Sequence, residues 1–273
     1  MVKRKSLLWG FFRYTLLSNG KGAIETFRIF KPSNEFKEKD KEYSQDHEEK
    51  TVSKGKIDNK PPIFNDFDVE NEVLGKYSNF KKRLYEDSKI VLIFGKRGSG
   101  KSALGLRIIE NIKATTKRNC YVLGINAEVL PLWIKSITNI DQVESEGVVL
   151  VDEGALSFSA RESMKQSNRE LSKLMAIARH KNLTLIFITQ NTGMLDKNIL
   201  KLADSLMIKE GSLLQLEMER PEIKKFYTKT KEFLDNINKD KIKYFYLIDS
   251  DFEGLLKHSL PSFWTEKISR NKR

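Results

Sequence analysis

One cysteine and three histidines are all that this chain of 273 residues offers of the usual soft metal ligands. A lone thiol builds neither an internal disulfide framework nor a cysteine-based zinc site, and that economy is what a reducing, intracellular compartment favours. Cys120 heads the apolar run Cys120-Tyr121-Val122-Leu123-Gly124-Ile125, so it reads as a buried structural thiol rather than a reactive one. His47, His180 and His258 are widely separated and give no support for a histidine metal centre or a catalytic dyad. Long apolar runs are missing too. No stretch approaches the ~18–20 residues that a membrane-spanning helix needs, and the sequence reads as soluble. Leu7 to Leu17, after Lys3-Arg4-Lys5, copies the outline of a signal peptide, but Arg13 interrupts it and no small-residue cleavage site follows.

What the chain has in excess is positive charge, a formal +12 with an isoelectric point near 9.5. Such a balance favours a polyanionic partner, either nucleic acid or an anionic membrane surface. The charge is not uniform. Residues 1–30 carry Lys3, Arg4, Lys5, Arg13, Lys21 and Arg28 against Glu25 alone. If this segment is helical, Leu7, Leu8, Phe11, Phe12 and Leu16 share a face suited to peripheral docking on a membrane or a partner, and otherwise it is a packed element or a basic tail. Residues 31–62 mix eight basic with eight acidic side chains over positions 31–60 and end in Pro61-Pro62. With so few apolar side chains the segment cannot offset its chain entropy, which makes it a charged, disordered linker or a charged surface helix.

From residue 63 onward, apolar strands alternate with helical patterns. Lys89–Phe94, Cys120–Ile125, Gly147–Val151, Leu183–Thr189 and Asp204–Lys209 are continuous apolar runs separated by helix-length segments. That pattern predicts an α/β domain over residues 63–273 with a mostly parallel sheet covered by helices on both faces. Leu213–Glu217 and Lys243–Ile248 are expected to extend the sheet at an edge.

Directly after the first of these strands comes Gly95-Lys96-Arg97-Gly98-Ser99-Gly100-Lys101-Ser102, which fills the pattern G-x-x-x-x-G-K-[ST] without a mismatch. The glycines allow positive φ, so that backbone N–H groups turn inward as a nest at the start of the next helix, Lys101 to about Ala114. The loop through Ala103 is therefore the expected polyphosphate site. Lys101 is expected to reach the β and γ phosphates and Ser102 to be a ligand of Mg²⁺.

Two further strand ends complete the constellation. Gly147-Val148-Val149-Leu150-Val151-Asp152-Glu153 has the Walker B form, with Asp152 placed to hold the Mg²⁺ shell and Glu153 to polarise the attacking water. The adjacent acids argue against a small-molecule kinase, which needs no water activator, and the guanine-reading run N-K-x-D is absent. Leu183–Thr189 ends in Gln190, an uncharged amide suited to sensing the γ phosphate and orienting that water. Between them, Arg161 to Lys181 forms an apolar helical face bearing many cations. Arg161 and Arg179 are the candidates for an arginine supplied to a neighbouring subunit's ATP, although basic residues on a helix are more often a solvated face.

In these three motifs, and most specifically in Ala178-Arg179-His180-Lys181-Asn182-Leu183-Thr184-Leu185-Ile186-Phe187-Ile188-Thr189-Gln190, the sequence resembles the FtsK/HerA superfamily of P-loop motor ATPases. That group takes in viral genome-packaging ATPases and zonular-occludens-toxin-like phage proteins, and the resemblance covers about residues 85–210. It implies a RecA/ASCE-like P-loop NTPase fold, a homo-oligomeric ring that is usually a hexamer, ATP at subunit interfaces, and ATP-driven movement of DNA. Asn191-Thr192 after Gln190, where chromosome-partitioning members have Arg-Pro, turns the expectation toward a packaging or mobilisation motor of a virus or mobile element. Viral or mobile-element assembly proteins are then expected partners and the host cytoplasm the expected location. The alternative is a membrane-associated ATPase that drives virion assembly or export.

Overall fold

The computed structural model describes residues 60–156, 164–195, 197–238 and 240–270, all within the compact unit Gly55–Arg273. The basic segment 1–30, the linker up to residue 59, and Arg161 lie outside the described residues.

Nine strands among the described residues form one sheet. In chain order they are β1 (Asp68–Gly75), β2 (Ile90–Phe94), β3 (Cys120–Leu123), β4 (Ile134–Ile137), β5 (Val148–Asp152), β6 (Thr184–Thr189), β7 (Ser205–Ile208), β8 (Tyr244–Asp249) and β9 (Phe252–Lys257). Across the sheet the order is β1-β9-β8-β7-β2-β6-β5-β3-β4. The strands from β7 to β4 are parallel, while β8, β9 and β1 add an antiparallel extension beyond β7. The expected mixed α/β architecture is therefore present. The helices are α1 (Tyr77–Glu86), α2 (Lys101–Thr115), α3 (Glu153–Leu156), α4 (Met164–His180), α5 (Lys197–Leu202), α6 (Leu213–Met218), α7 (Pro221–Leu234) and α8 (Glu266–Arg270).

Burial on both faces explains why the central strands are apolar at every position. Along β2, Val91 and Ile93 join the core under α1 and α2, while Ile90, Leu92 and Phe94 join the opposite core under α4 and α7. In β6 the same alternation sends Ile186 and Ile188 one way and Leu185 and Phe187 the other. Each such side chain stabilises the fold by ~1.5–3 kcal/mol, so slipping either strand by one residue would expose or mismatch every one of them.

Helix α2 lies unusually close to the sheet. A Cβ on Gly105 would sit 2.4 Å from Leu150 Cδ1 and 3.0 Å from Ile188 Cδ1, so only glycine lets the first turns of α2 rest on β5 and β6. Further along α2, Arg107 and Glu110 form an ion pair of 2.8 Å with both side chains almost wholly buried. Glu110 accepts from Ile63 N (3.2 Å) and Ser262 N (3.0 Å), and Arg107 donates to the carbonyls of Ile63 and Leu260. The pair thereby ties both ends of the described domain to the helix that follows the phosphate loop. The apolar run Leu260–Trp264 docks on this same domain, with Phe263 buried edge-to-face against Trp133 at 5.4 Å.

Cys120 is buried as expected, and burial pushes its thiol up to about 12. The expectation that fails is Leu213–Glu217, which is the helix α6 and not an edge strand. Ser212 Oγ accepts from Gln215 N (3.1 Å) while Gln215 Oε1 accepts from Ser212 N (2.9 Å), a reciprocal cap that starts a helix despite the strand-like alternation.

Candidate nucleotide site

The register of the sheet assembles the site. Phe94, the residue before Gly95, pairs with Thr189, the residue before Gln190, and Asp152 pairs with Ile188. With β6 lying between β2 and β5, the phosphate loop, the Gln190 tip and the Asp152-Glu153 pair leave the sheet at one edge and one level. This is the carboxyl edge of the parallel strands, where α/β sheets bind their ligands.

Within the loop, Gly95, Gly98 and Gly100 take φ of 154°, 76° and 86°. A side chain at Gly95 would collide with Lys209, and one at Gly100 with the Ile242 carbonyl, whereas a Cβ on Gly98 meets nothing within 4 Å. Two glycines are thus held by packing from below and one faces open space. Ser99 Oγ is buried and has no hydrogen-bond partner among the described residues. Lys101, itself buried, donates from Nζ to the carbonyls of Gly95 and Lys96, both at 2.8 Å. Its ammonium is thereby held inside the curl of the loop. The left-handed Gly100 is the N-cap of α2, whose first N–H groups have no acceptors within the helix. A glycine nest, a helix start and a buried ammonium fit a polyphosphate.

Lys96 pairs with Glu210 at 2.6 Å, Arg97 is exposed, and Ser102 and Ala103 are buried in the first turn of α2. Asp152, at the end of β5, is buried and accepts from Gly154 N at 3.4 Å. Glu153 begins α3, and its side chain lies outside the described residues. Ser102 and Asp152 offer a hydroxyl and a carboxylate, hard oxygen donors of the kind Mg²⁺ selects. No group of three or more His, Cys, Asp and Glu that could hold a metal is found among the described residues.

Gln190 is exposed at the tip of β6. Thr189 Oγ1 shapes the turn beneath it by accepting from Asn191 N (2.9 Å) and donating to Asn191 O (3.1 Å), and Gln215 Nε2 on α6 donates to Gln190 O at 3.4 Å.

Arg179 stands elsewhere. Its guanidinium donates to Leu202 O (2.7 Å) and pairs with Asp204 at 3.4 Å, while Asp204 accepts from Ile90 N, the first residue of β2. The phosphate loop follows the last residue of that strand. At about 3.3 Å per residue the two lie on opposite edges of the sheet, so Arg179 does not reach the loop of its own subunit. Sequence reasoning also missed Gly105, Lys209 and His258. An interior glycine in an otherwise good helix was the available signal for Gly105; nothing local marks the other two.

Strand order and the glycine loop at the carboxyl edge are those of a P-loop NTPase fold in which the strand ending at Thr189 lies between the loop strand and the strand ending at Asp152. A family model described as Zonular occludens toxin (Zot) matches residues 104–212, a stretch that contains Asp152, Glu153 and Gln190. Among solved structures, the genome packaging NTPase B204 from Sulfolobus turreted icosahedral virus 2, in complex with AMPPCP, is similar with 18% identity and a TM-score of 0.44. The match covers 63% of this chain and 98% of that one. The pCW3 conjugation coupling protein TcpA, in a monomer form with ATPγS, is similar with 11% identity and a TM-score of 0.45, over 66% of this chain and 62% of that one. No curated protein matches the sequence.

Proposed function

We propose that the chain is an ATP-hydrolysing motor that translocates or packages DNA for a virus or mobile element, working as a homo-oligomeric ring. The observation that carries the hydrolytic part is the convergence of the Gly95–Ser102 loop, Asp152-Glu153 and Gln190 on one edge of the sheet. The loop amides and Lys101 bind and orient the polyphosphate. Mg²⁺, which Ser102 and Asp152 would hold, supplies charge neutralisation at the phosphates when bound. Glu153 accepts the proton of the attacking water, and the Gln190 amide orients that water from the neighbouring strand tip. The DNA load is supported by the +12 balance and by the motor resemblance of the three motifs.

The test is the ATPase rate with and without double-stranded DNA, measured across salt and protein concentration. DNA stimulation that falls steeply with salt, and a rate that rises more than linearly with protein, is the expected outcome. A DNA-indifferent, salt-insensitive rate would remove the motor reading. Of the two arginine candidates, Arg179 is committed to Asp204 and Leu202 within its own subunit, which leaves Arg161 as the stronger candidate for acting across a subunit boundary.

A second reading, ATP-driven assembly or export at a membrane, is favoured by the Zot family match and by the basic, aromatic stretch Lys3–Arg13. Co-sedimentation with anionic liposomes, compared between the full chain and a version lacking residues 1–30, separates the two. Equal, negligible binding leaves only the DNA motor.

A further inference from the structure

Beneath the phosphate loop lies a lysine that the hydrolytic reading does not use. Lys209 follows the last residue of β7, its N–H donates to Phe94 O at 2.8 Å, and its side chain is completely buried. It lies close under the loop at two glycines. A Cβ on Gly95 would lie 2.7 Å from Lys209 Cβ, and a Cβ on Gly100 would lie 3.6 Å from Lys209 Nζ and 2.8 Å from the Ile242 carbonyl. Lys209 Nζ donates to that same Ile242 carbonyl at 2.6 Å. It is also 3.1 Å from His258 Nε2, while His258 Nδ1 is 3.0 Å from Ser259 O. A carbonyl can only accept, so the imidazole proton sits on Nδ1 and Nε2 accepts from Lys209.

We propose that Lys209 is a positioning residue for nucleoside polyphosphate binding, supporting Gly95 and Gly100 from below and coupling its own charge to that of the phosphates above them. The inference rests on the reading of Gly95–Ser102 as a nucleotide loop. Its physical basis is the absence of a carboxylate partner for Lys209 among the described residues. The adjacent Glu210 is engaged with Lys96, and the other charged neighbours are Lys101 on α2 and Arg107, which acts on His258. Burial, and then the nearby Lys101, pull the Lys209 amine well below the ordinary lysine value. A polyphosphate on the loop supplies the missing counter-charge, which favours the ammonium. Linkage then requires that nucleotide binding take up a proton and that affinity fall as pH rises. Lys209 also joins the loop to Ile242, two residues before β8.

The experiment is titration of full-length protein with a fluorescent N-methylanthraniloyl ATP and Mg²⁺ from about pH 7 to about pH 10, a range in which the terminal phosphate is ionised. For Lys209→Met we expect about tenfold weaker binding at the lower end, from losing one charge near the phosphates, and a flattened pH profile. His258→Phe, which removes the acceptor, is expected to behave likewise, whereas His258→Gln, which keeps one, stays within about twofold of wild type. Lys209→Met with wild-type affinity and slope overturns the inference and leaves the nucleotide site standing. If that variant does not fold, the two His258 variants decide, and equal behaviour of Phe and Gln overturns it. A wild-type protein that binds no nucleotide overturns both readings together.

Discussion

Phe94 and Thr189 pair in the parallel register of β2 and β6, each one residue short of the group it delivers, the loop glycine on one strand and Gln190 on the other. Because Asp152 pairs with Ile188 on the far side of β6, one register serves all three parts of the site. The site's geometry therefore rests on strands buried on both faces rather than on contacts between the functional side chains. That rigidity is what preorganised catalysis requires.

On the proposed mechanism, Glu153→Gln removes the base while keeping a similar shape. Turnover is expected to fall by at least about 100-fold, the usual scale for a general base, with nucleotide affinity within about twofold of wild type. Single-turnover hydrolysis and equilibrium titration check this side by side, and hydrolysis at the wild-type rate would show that the water is activated elsewhere.

Lys101→Ala deletes the ammonium that now bridges the Gly95 and Lys96 carbonyls. Nucleotide binding is expected to weaken by about tenfold or more, as charge-assisted hydrogen bonds of ~1.5–3 kcal/mol are lost. Calorimetric titration reads it, and the melting temperature without nucleotide should hardly move.

Gly105→Leu places a side chain where Leu150 Cδ1 and Ile188 Cδ1 already lie. Overpacking of this kind costs ~1–3 kcal/mol, and it also lifts Ser102 away from β5. Denaturant unfolding should show the stability loss, and magnesium-dependent nucleotide binding should drop further than magnesium-free binding.

Glu110→Ala strands the buried Arg107 guanidinium, at a cost on the order of 3–5 kcal/mol. Urea midpoints test it. Replacing both partners by apolar residues should recover part of the loss, since the second charge then no longer needs a partner.

His258 is held at about 3, chiefly by burial and then by Lys209, against about 6.5 when unfolded. The unfolded chain therefore binds the extra proton between these values. Its contribution to stability is complete above about pH 6.5 and is lost as the pH falls toward about 3. Stability measured across that window should fall more steeply for wild type than for His258→Gln.

Much of the parallel sheet was legible because strands covered on both faces leave continuous apolar runs. β4, Ile134-Lys135-Ser136-Ile137, buries only its two ends, and β1 is exposed along its length, so neither leaves such a trace. Leu213–Glu217 misled because the apolar and polar residues that alternate from Leu214 to Glu217 suit a strand and a short helix equally. The S-x-x-Q signature from Ser212 to Gln215 was the decisive local signal.

The sequence by itself determined the motifs of the candidate site: a glycine loop, a paired-acid strand end and an amide strand end, each a contiguous run of a few residues. Only the tertiary structure decided which groups share an edge. It separated Arg179 from the loop by the length of β2 and placed Lys209 and His258, 49 positions apart, against each other beneath Gly100. The reason is physical. Motifs are written in local backbone conformation, whereas the position of a buried lysine depends on strand order and on what fills the space below a loop, and neither is recorded in any single segment.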